Sequence, residues 1–228
     1  MKKIFSFLLA ICFLVPLAVV MTACGENEVV ANVATIEELM TAVDGDNDVI
    51  KLTEDIETTS AIIVNRKLTF DLNGKTLTGD GEDGVIYAKG EADIVIKGDG
   101  QIIAKESVNR YAMALWAKEN AKVKILNGAF SQIITGTDKQ YDMIYISGNA
   151  QVIIEDGQFD CNTPKWTLNI YDKDALTAKF IVKGGKFKDY NPAQVETEPE
   201  ASNITSFVAD GYTSTYNELT NYYTVTKK

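Results

Sequence analysis

Four segments of the chain repeat one pattern and decide its fold: ADIVIKGDGQI at 92–102, AKVKILNGAF at 121–130, AQVIIEDGQF at 150–159 and AKFIVKGGKF at 178–187. Their first alanines are 29, 29 and 28 residues apart. In each segment apolar residues alternate with others, a glycine turn follows, and one large apolar side chain comes next. Period-two alternation is typical of a β-strand, and a fixed period of this length is typical of a repeat protein. The pattern therefore predicts a β-solenoid.

A further strand precedes the later units, at Val85–Ala88, Ala114–Ala117, Met143–Ile146 and Leu168–Ile170. One period thus holds about three short strands with no helix between them. Each coil of a solenoid buries its inward side chains only against neighbouring coils, so equivalent residues form columns. We expect three such columns: Leu68, Ile94, Val123, Val152 and Phe180; Phe70, Ile96, Ile125, Ile154 and Val182; and Ile102, Phe130, Phe159 and Phe187. The predicted class is an all-β, single-stranded parallel β-helix of about five coils.

The run DLNGKTL at 71–77 and the successive Val-x-Ile…Gly-x-Phe units resemble the right-handed parallel β-helix of the pectate-lyase-like superfamily. The likeness is above all to small secreted β-helix proteins of bacteria, and it covers roughly residues 33–226. It implies a right-handed solenoid but no particular activity, because such folds host lyases, hydrolases, adhesins and scaffolds.

A lyase of this kind would imply a calcium-binding carboxylate cluster and a basic residue for proton abstraction. Arg66 and Arg110 lie near a coil edge, without a matching stack of acidic residues. Related hydrolases need grouped carboxylates. The outward positions of the best-aligned strand offer none, since they are Val95, Lys124, Ile153 and Ile181.

Both ends of the solenoid need a cover, because open strand edges invite pairing with other chains. Thr35 and Glu38 form a capping box, and apolar residues follow at helical spacing, so we expect a short N-terminal helix over roughly 36–43. We read Asp44–Asp48 as a solvated turn, because the sequence lacks the glycine and the glutamate of a calcium loop. Strands near 207–212 and 222–226 should close the other end.

The segment 189–206 is predicted to be an exposed loop. It belongs to a single predicted domain, 34–228.

The N-terminus carries a targeting signal. Lys2 and Lys3 precede an apolar run from Ile4 to Val20, and Met21–Cys24 then resembles the lipobox of a bacterial lipoprotein signal. We therefore expect a signal peptide at 1–23, a lipid on Cys24 and a tether at 24–33. An ordinary cleaved signal and an uncleaved anchor are the alternatives. The expected location is extracytoplasmic, in the bacterial cell envelope, with the lipid as membrane anchor.

Composition excludes several kinds of chemistry. The 228 residues carry a formal net charge of −10, with two arginines and no histidine. An acidic composition disfavours nucleic acid as a partner, and the absence of histidine excludes triads with an imidazole base and His-ligated zinc sites. Of the three cysteines, Cys12 leaves with the signal and Cys24 carries lipid, so Cys161 has no partner for an intramolecular disulfide. We expect Cys161 to be a packed thiol.

One outward column carries aromatic rings. If Ile86, Leu115 and Ile144 point inward, then Tyr87, Trp116 and Tyr145 point outward, because side chains alternate along a strand. Adjacent coils would place these rings in a row, about 4.8 Å apart. The three residues are our candidate ligand-binding residues, for stacking on sugar rings or for contacting a protein. The alternative is that a loop covers them, or that the register is shifted by one and they belong to the core.

The favoured function is a lipid-anchored, non-catalytic envelope protein whose β-helix surface binds carbohydrate or protein. A polysaccharide lyase or hydrolase is the first alternative, and a structural or assembly protein of the envelope is the second. We predict no catalytic residue, no metal ligand and no cofactor. The expected partners are the membrane, through Cys24, and a glycan or protein ligand, with no nucleic acid.

Overall fold

The computed structural model describes residues 28–106, 112–135, 141–196 and 203–228. The predicted signal peptide, the lipidation site Cys24 and Arg110 lie outside these ranges. Within them, no helix has the length and apolar character needed to span a bilayer.

The chain winds through three sheets, which we name A, B and C in the order in which it visits them. Sheet A holds β1 (Val30–Val33), β2 (Val49–Leu52), β5 (Lys67–Asp71), β8 (Asp93–Lys97), β11 (Lys122–Ile125), β14 (Gln151–Ile154) and β17 (Lys179–Val182). Sheet B holds β3 (Ile56–Thr58), β6 (Thr76–Gly79), β9 (Gln101–Lys105), β12 (Ala129–Ile133), β15 (Gln158–Asp160) and β18 (Lys186–Lys188), followed by β20 (Tyr222–Lys227) and β19 (Tyr212–Asn217). Sheet C holds β4 (Ile62–Val64), β7 (Ile86–Ala88), β10 (Leu115–Ala117), β13 (Ile144–Ile146) and β16 (Leu168–Ile170).

From β2 to β16 the order A, B, C repeats, and β17 and β18 continue it. Pairings between successive coils are parallel, for example Val123 with Ile94 on one side and Val152 on the other. The helix α1 spans Ile36–Asp44, and short 3-10 helices cover Pro164–Trp166 and Asp172–Asp174. The predicted all-β parallel solenoid with an N-terminal helix is confirmed.

The core includes the three predicted columns, with every member in the expected register. The inward residues of sheet C form a further buried column: Ile62, Ile86, Leu115, Ile144 and Leu168. In the third column the phenylalanine rings stack along the solenoid axis. The ring centroids of Phe130 and Phe159 are 5.0 Å apart, and those of Phe159 and Phe187 are 4.8 Å apart. This separation matches the spacing of neighbouring strands, so three successive coils each supply one ring to a continuous phenylalanine ladder.

The N-terminal end is covered by α1, as predicted. The Glu38 N–H donates to Thr35 Oγ1 at 3.2 Å, while the Ala34 N–H donates to Glu38 Oε2 at 2.7 Å. The first bond satisfies a donor that the first helical turn leaves unpaired, and the second ties the residue before the N-cap to the helix. The helix buries Leu39, Ala42 and Val43 against the first coil.

The predicted tether at 24–33 is wrong for its last four residues. Val30–Val33 form β1, which pairs in parallel with β2 at the edge of sheet A. The run is too short to stand out as a strand, but backbone pairing and burial of Val33 hold it in the sheet.

Arg66 fastens α1 to the solenoid. Its guanidinium donates to three carbonyls at the C-terminal end of the helix and in the following turn: Ala42 O at 3.0 Å, Val43 O at 3.1 Å and Asn47 O at 2.6 Å. A cation at this end also interacts favourably with the helix dipole.

We expect Arg66→Ala to lower the free energy of unfolding by about 2 kcal/mol, because three charge-assisted hydrogen bonds are lost at once. Arg66→Lys should recover only part of the loss, since an ammonium lacks the planar fork of donors. Chemical denaturation of the full-length protein measures both changes. Equal stability of wild type and Arg66→Ala would contradict this role.

The C-terminal end is closed by the hairpin of β19 and β20, which pairs antiparallel with β18. The second predicted closing strand, 222–226, is confirmed. The first, 207–212, is misplaced, because the strand runs from Tyr212 to Asn217. Phe207 instead packs on Phe180 at 5.0 Å, and Val208 bridges to Val182 at the end of sheet A.

The predicted exposed loop at 189–206 is partly buried where the structure describes it. Tyr190 and Pro192 are buried, and the Phe207 N–H donates to Pro192 O at 2.8 Å. The segment therefore helps to cover the last coil, because its apolar side chains bury the apolar end of the solenoid.

Candidate functional site

The aromatic column lies on the outer face of sheet C. Trp116 pairs with Tyr87 on one side and with Tyr145 on the other, while the inward neighbours Ile86, Leu115 and Ile144 are fully buried. The predicted alternation is therefore confirmed. The same column begins at Ile63, which is 43% exposed, and ends at Asn169.

The three rings are not equally accessible. Tyr87 is only 8% exposed, and its ring stacks on Trp116 with 4.9 Å between centroids and 28° between planes. Trp116 and Tyr145 are partly exposed, 6.0 Å apart and tilted by 54°. The column thus differs from the flat row that the sequence suggested. Tyr87 supports the stack, while Trp116 and Tyr145 form a ridge that faces solvent.

A polar column runs beside the rings, two residues further along each strand. Lys89 Nζ lies 5.7 Å from the centroid of the Tyr87 ring, and Lys118 Nζ lies 5.6 Å from that of Trp116. In the next coil the position is Ser147, whose Oγ accepts a hydrogen bond from Trp116 Nε1 at 3.2 Å. Together these contacts hold the ring of Trp116 in one orientation.

A cleft of about 410 Å³ opens on one side of the ridge. We call it cleft I; it is lined by Glu82, Asp83, Met113, Trp116, Tyr141, Asp142 and Tyr145. Its charged lining residues are all acidic. Asp142 Oδ1 accepts a hydrogen bond from Asn169 Nδ2 at 2.9 Å, which fixes that carboxylate near the end of the aromatic column.

The buried side chain of Gln132 holds one wall of cleft I in place. Its Nε2 donates to Ala112 O at 2.6 Å and makes longer contacts with Tyr141 O and Asp142 O, at 3.3 and 3.2 Å. Its Oε1 accepts from Cys161 Sγ at 3.2 Å and from the Asn162 N–H at 3.1 Å. One glutamine therefore joins three separate loops, two of which carry lining residues of the cleft.

A second cleft of about 330 Å³, cleft II, lies on the other side of the ridge. It is lined by Trp116, Lys118, Glu119, Tyr145, Ser147, Gly148, Tyr171 and Asp174. Glu119 Oε2 accepts from the Gly90 N–H at 2.9 Å, and Asp174 Oδ2 accepts from the Gly148 N–H at 2.6 Å.

Burial, with added repulsion from the charges of Asp83 and Glu119, raises the pKa of Tyr87. Tyr87 thus stays a neutral hydroxyl throughout the physiological range.

The remaining chemical candidates do not extend the site. Cys161 is buried, as predicted, and burial is the main cause that raises the pKa of its thiol to about 12, so it is not a nucleophile at neutral pH. The guanidinium of Arg66 donates its hydrogen bonds to carbonyls at the C-terminal end of α1 and in the turn that follows. In the predicted turn, Asp48 Oδ2 accepts from the Val29 N–H at 2.8 Å. Within the described ranges, no group of three or more Cys, Asp or Glu side chains is arranged to hold a metal ion.

Sequence reasoning identified the rings but missed the groups around them. Glu82, Asp83 and Asp142 come from loops whose length differs between coils, so the repeat does not align them. Glu119 left a signal: aligned with the neighbouring copies, it takes the place of Gly90 and Gly148.

Comparison of the chain with known protein families, curated proteins and solved structures finds no match. Function must therefore be argued from the geometry of the ridge and its clefts.

Proposed function

We propose that the protein is a non-catalytic carbohydrate-binding protein of the cell envelope, and that Trp116 and Tyr145 stack on the sugar. The observation that carries the proposal is the position of these two partly exposed rings between two clefts lined by hydrogen-bonding groups.

A pyranose ring has an apolar C–H face and a rim of hydroxyl groups. Aromatic side chains suit the face, because they offer a large rigid apolar surface, while carboxylates, hydroxyls and ammonium groups suit the rim. Here both kinds of group occur together, and the rings project from paired strands packed on a filled core. Such support keeps a site preorganised, which lowers the entropy lost on binding.

The cell-envelope part of the proposal depends on the N-terminal signal and on Cys24. A lipid at that position would anchor the chain to a membrane and leave the solenoid free to face the extracytoplasmic space. Stable anchoring by lipid needs more than one acyl chain, which the diacylated cysteine of a lipoprotein provides.

A glycan array probed with the full-length protein in detergent tests the binding function. We expect a subset of glycans to bind, and we expect Trp116→Ala and Tyr145→Ala each to weaken that binding by about tenfold, through loss of one stacking surface. Tyr216→Ala is the matched control, since Tyr216 is an exposed tyrosine of the C-terminal hairpin, distant from the ridge. Binding that is unchanged in the double variant would reject the ridge as the site.

The carboxylates of cleft I favour a second candidate, a polysaccharide hydrolase or lyase, because paired carboxylates beside a bound sugar can act as acid and base. Incubation of the protein with polysaccharides, with and without calcium, distinguishes the two. An accumulation of reducing or unsaturated sugar ends with time, seen with the wild-type protein and not in its absence, would favour a catalytic function over a purely binding one. A role in envelope assembly would instead show as a specific protein crosslinked to the ridge.

A further inference from the structure

Three successive coils use the same tight turn between sheet C and sheet A. The turns are Lys89–Ala92, Lys118–Ala121 and Ser147–Ala150, and in each the alanine N–H donates to the carbonyl of the first residue, at 3.2, 3.2 and 3.3 Å. Only the first central residue of each turn has a positive φ. A positive φ at this position alone defines a type II′ turn, in which glycine dominates there because a Cβ atom causes steric conflict.

Glu119 breaks this rule. The first central residues are Gly90 with φ 63°, Glu119 with φ 63° and Gly148 with φ 70°. Two of the three turns therefore use the unstrained residue, and the middle one holds a glutamate in a conformation that L side chains rarely adopt. Strain of this kind persists where another interaction compensates for it, and it concentrates at functional sites.

The hydrogen bond from the Gly90 N–H to Glu119 Oε2 does not account for the strain. Gly148 lies two coils after Gly90, and its N–H donates in the same way to Asp174 Oδ2, at 2.6 Å. Asp174 has no positive φ. The fold can thus satisfy this donor with a carboxylate in a relaxed backbone. The strained turn places the carboxylate of Glu119 in cleft II beside Trp116 and Tyr145, so that the cleft holds two carboxylates, those of Glu119 and Asp174.

We propose that Glu119 is a ligand-binding residue, whose carboxylate accepts hydrogen bonds from the hydroxyl groups of a sugar stacked on Trp116 and Tyr145. The inference rests on the proposed function and deepens it. An ionised carboxylate has about four acceptor sites, so the bond to Gly90 leaves capacity for the ligand. Cleft II is lined by two carboxylates, Glu119 and Asp174, and one ammonium group, Lys118, so its net charge is negative and disfavours anions. The ligand class is therefore an uncharged glycan rather than a uronate polymer.

Two variants of the full-length protein separate a binding role from a structural one. Glu119→Gly restores the residue that the turn prefers, so we expect its Tm to rise by about 3 °C while its affinity for an uncharged glycan from the array falls by about tenfold. Glu119→Gln keeps the strain and an acceptor for Gly90 but removes the charge. We expect its Tm to stay unchanged, its affinity for the uncharged glycan to fall by about threefold, and its affinity for a uronate oligosaccharide of equal length to increase.

Glu218→Gln is the matched control, because Glu218 lies in the turn of the C-terminal hairpin, is exposed and does not line either cleft. It should leave both Tm and affinity unchanged. Unchanged affinity in Glu119→Gly overturns the inference, and so does a fall in its Tm, which would make Glu119 a structural cap of the turn. Wild-type protein that binds no glycan overturns the proposed function itself. Glycan binding that needs Trp116 but not Glu119 overturns this inference alone.

Discussion

Phe159→Ala is expected to lower the free energy of unfolding by about 3–5 kcal/mol, the range found when a buried phenylalanine is truncated. Phe159 is fully buried in the middle of the phenylalanine ladder, with Phe130 and Phe187 stacked on its two faces. Truncation removes both ring contacts and leaves a cavity between two coils. Since each coil is stabilised through its neighbours, a defect at the centre uncouples the two halves of the solenoid.

Chemical denaturation followed by circular dichroism measures this effect. Phe159→Leu should cost much less than the alanine variant, because it keeps most of the buried volume. Leu219→Ala provides the control for an exposed apolar residue, since Leu219 is 96% exposed, and should change stability by less than about 0.5 kcal/mol. A loss below about 1 kcal/mol in Phe159→Ala would mean that the ladder does not hold the coils together.

Gln132→Ala should cost about 3 kcal/mol, because its removal leaves several buried backbone and thiol groups without their partner. The affected groups belong to the loops at Ala112, Tyr141–Asp142 and Cys161–Asn162. We also expect weaker glycan binding, since Tyr141 and Asp142 line cleft I.

Two measurements test the role of Gln132. Denaturation gives its contribution to stability, and a thiol reagent applied to a Cys12→Ser, Cys24→Ser background reports whether Cys161 becomes accessible. Gln158→Ala is the matched control, because the side chain of Gln158 is exposed and donates to Tyr222 Oη, at 3.1 Å, outside the loops that Gln132 joins. If Gln132→Ala and Gln158→Ala have equal stability and equal thiol reactivity, Gln132 does not organise the cleft.

Most of the fold could be predicted because its signal is local and repeated. Alternation fixes which side of each strand is inward, and the spacing of 29 residues fixes which residues stack, so these two patterns suffice to place Val123, Phe130 and Trp116. The helix was predicted for a similar reason, since the capping box at Thr35 and Glu38 marks its start.

The site was less predictable because it depends on what differs between coils. Cleft I is built by loops of unequal length that carry Asp83 and Asp142, and periodicity says nothing about where such loops fold. Gln132 sits at an inward position where the preceding coil has Ala104, so it departs from the apolar pattern that guided the prediction. The tilt that separates Trp116 from Tyr145 also lies outside any pattern, since it follows from the side chains packed around each ring.

The parallel register of the coils also sets the length of the ridge in equal steps. Each coil advances the ridge by one strand spacing, about 4.8 Å, and every residue on it meets its equivalent in the next coil. Duplication of one 29-residue unit would lengthen the ridge by one strand spacing and leave the contacts of distant coils unchanged. If the ridge binds a glycan, as proposed, the length of glycan that it contacts would therefore increase by one coil with each duplication, and the core would need no redesign.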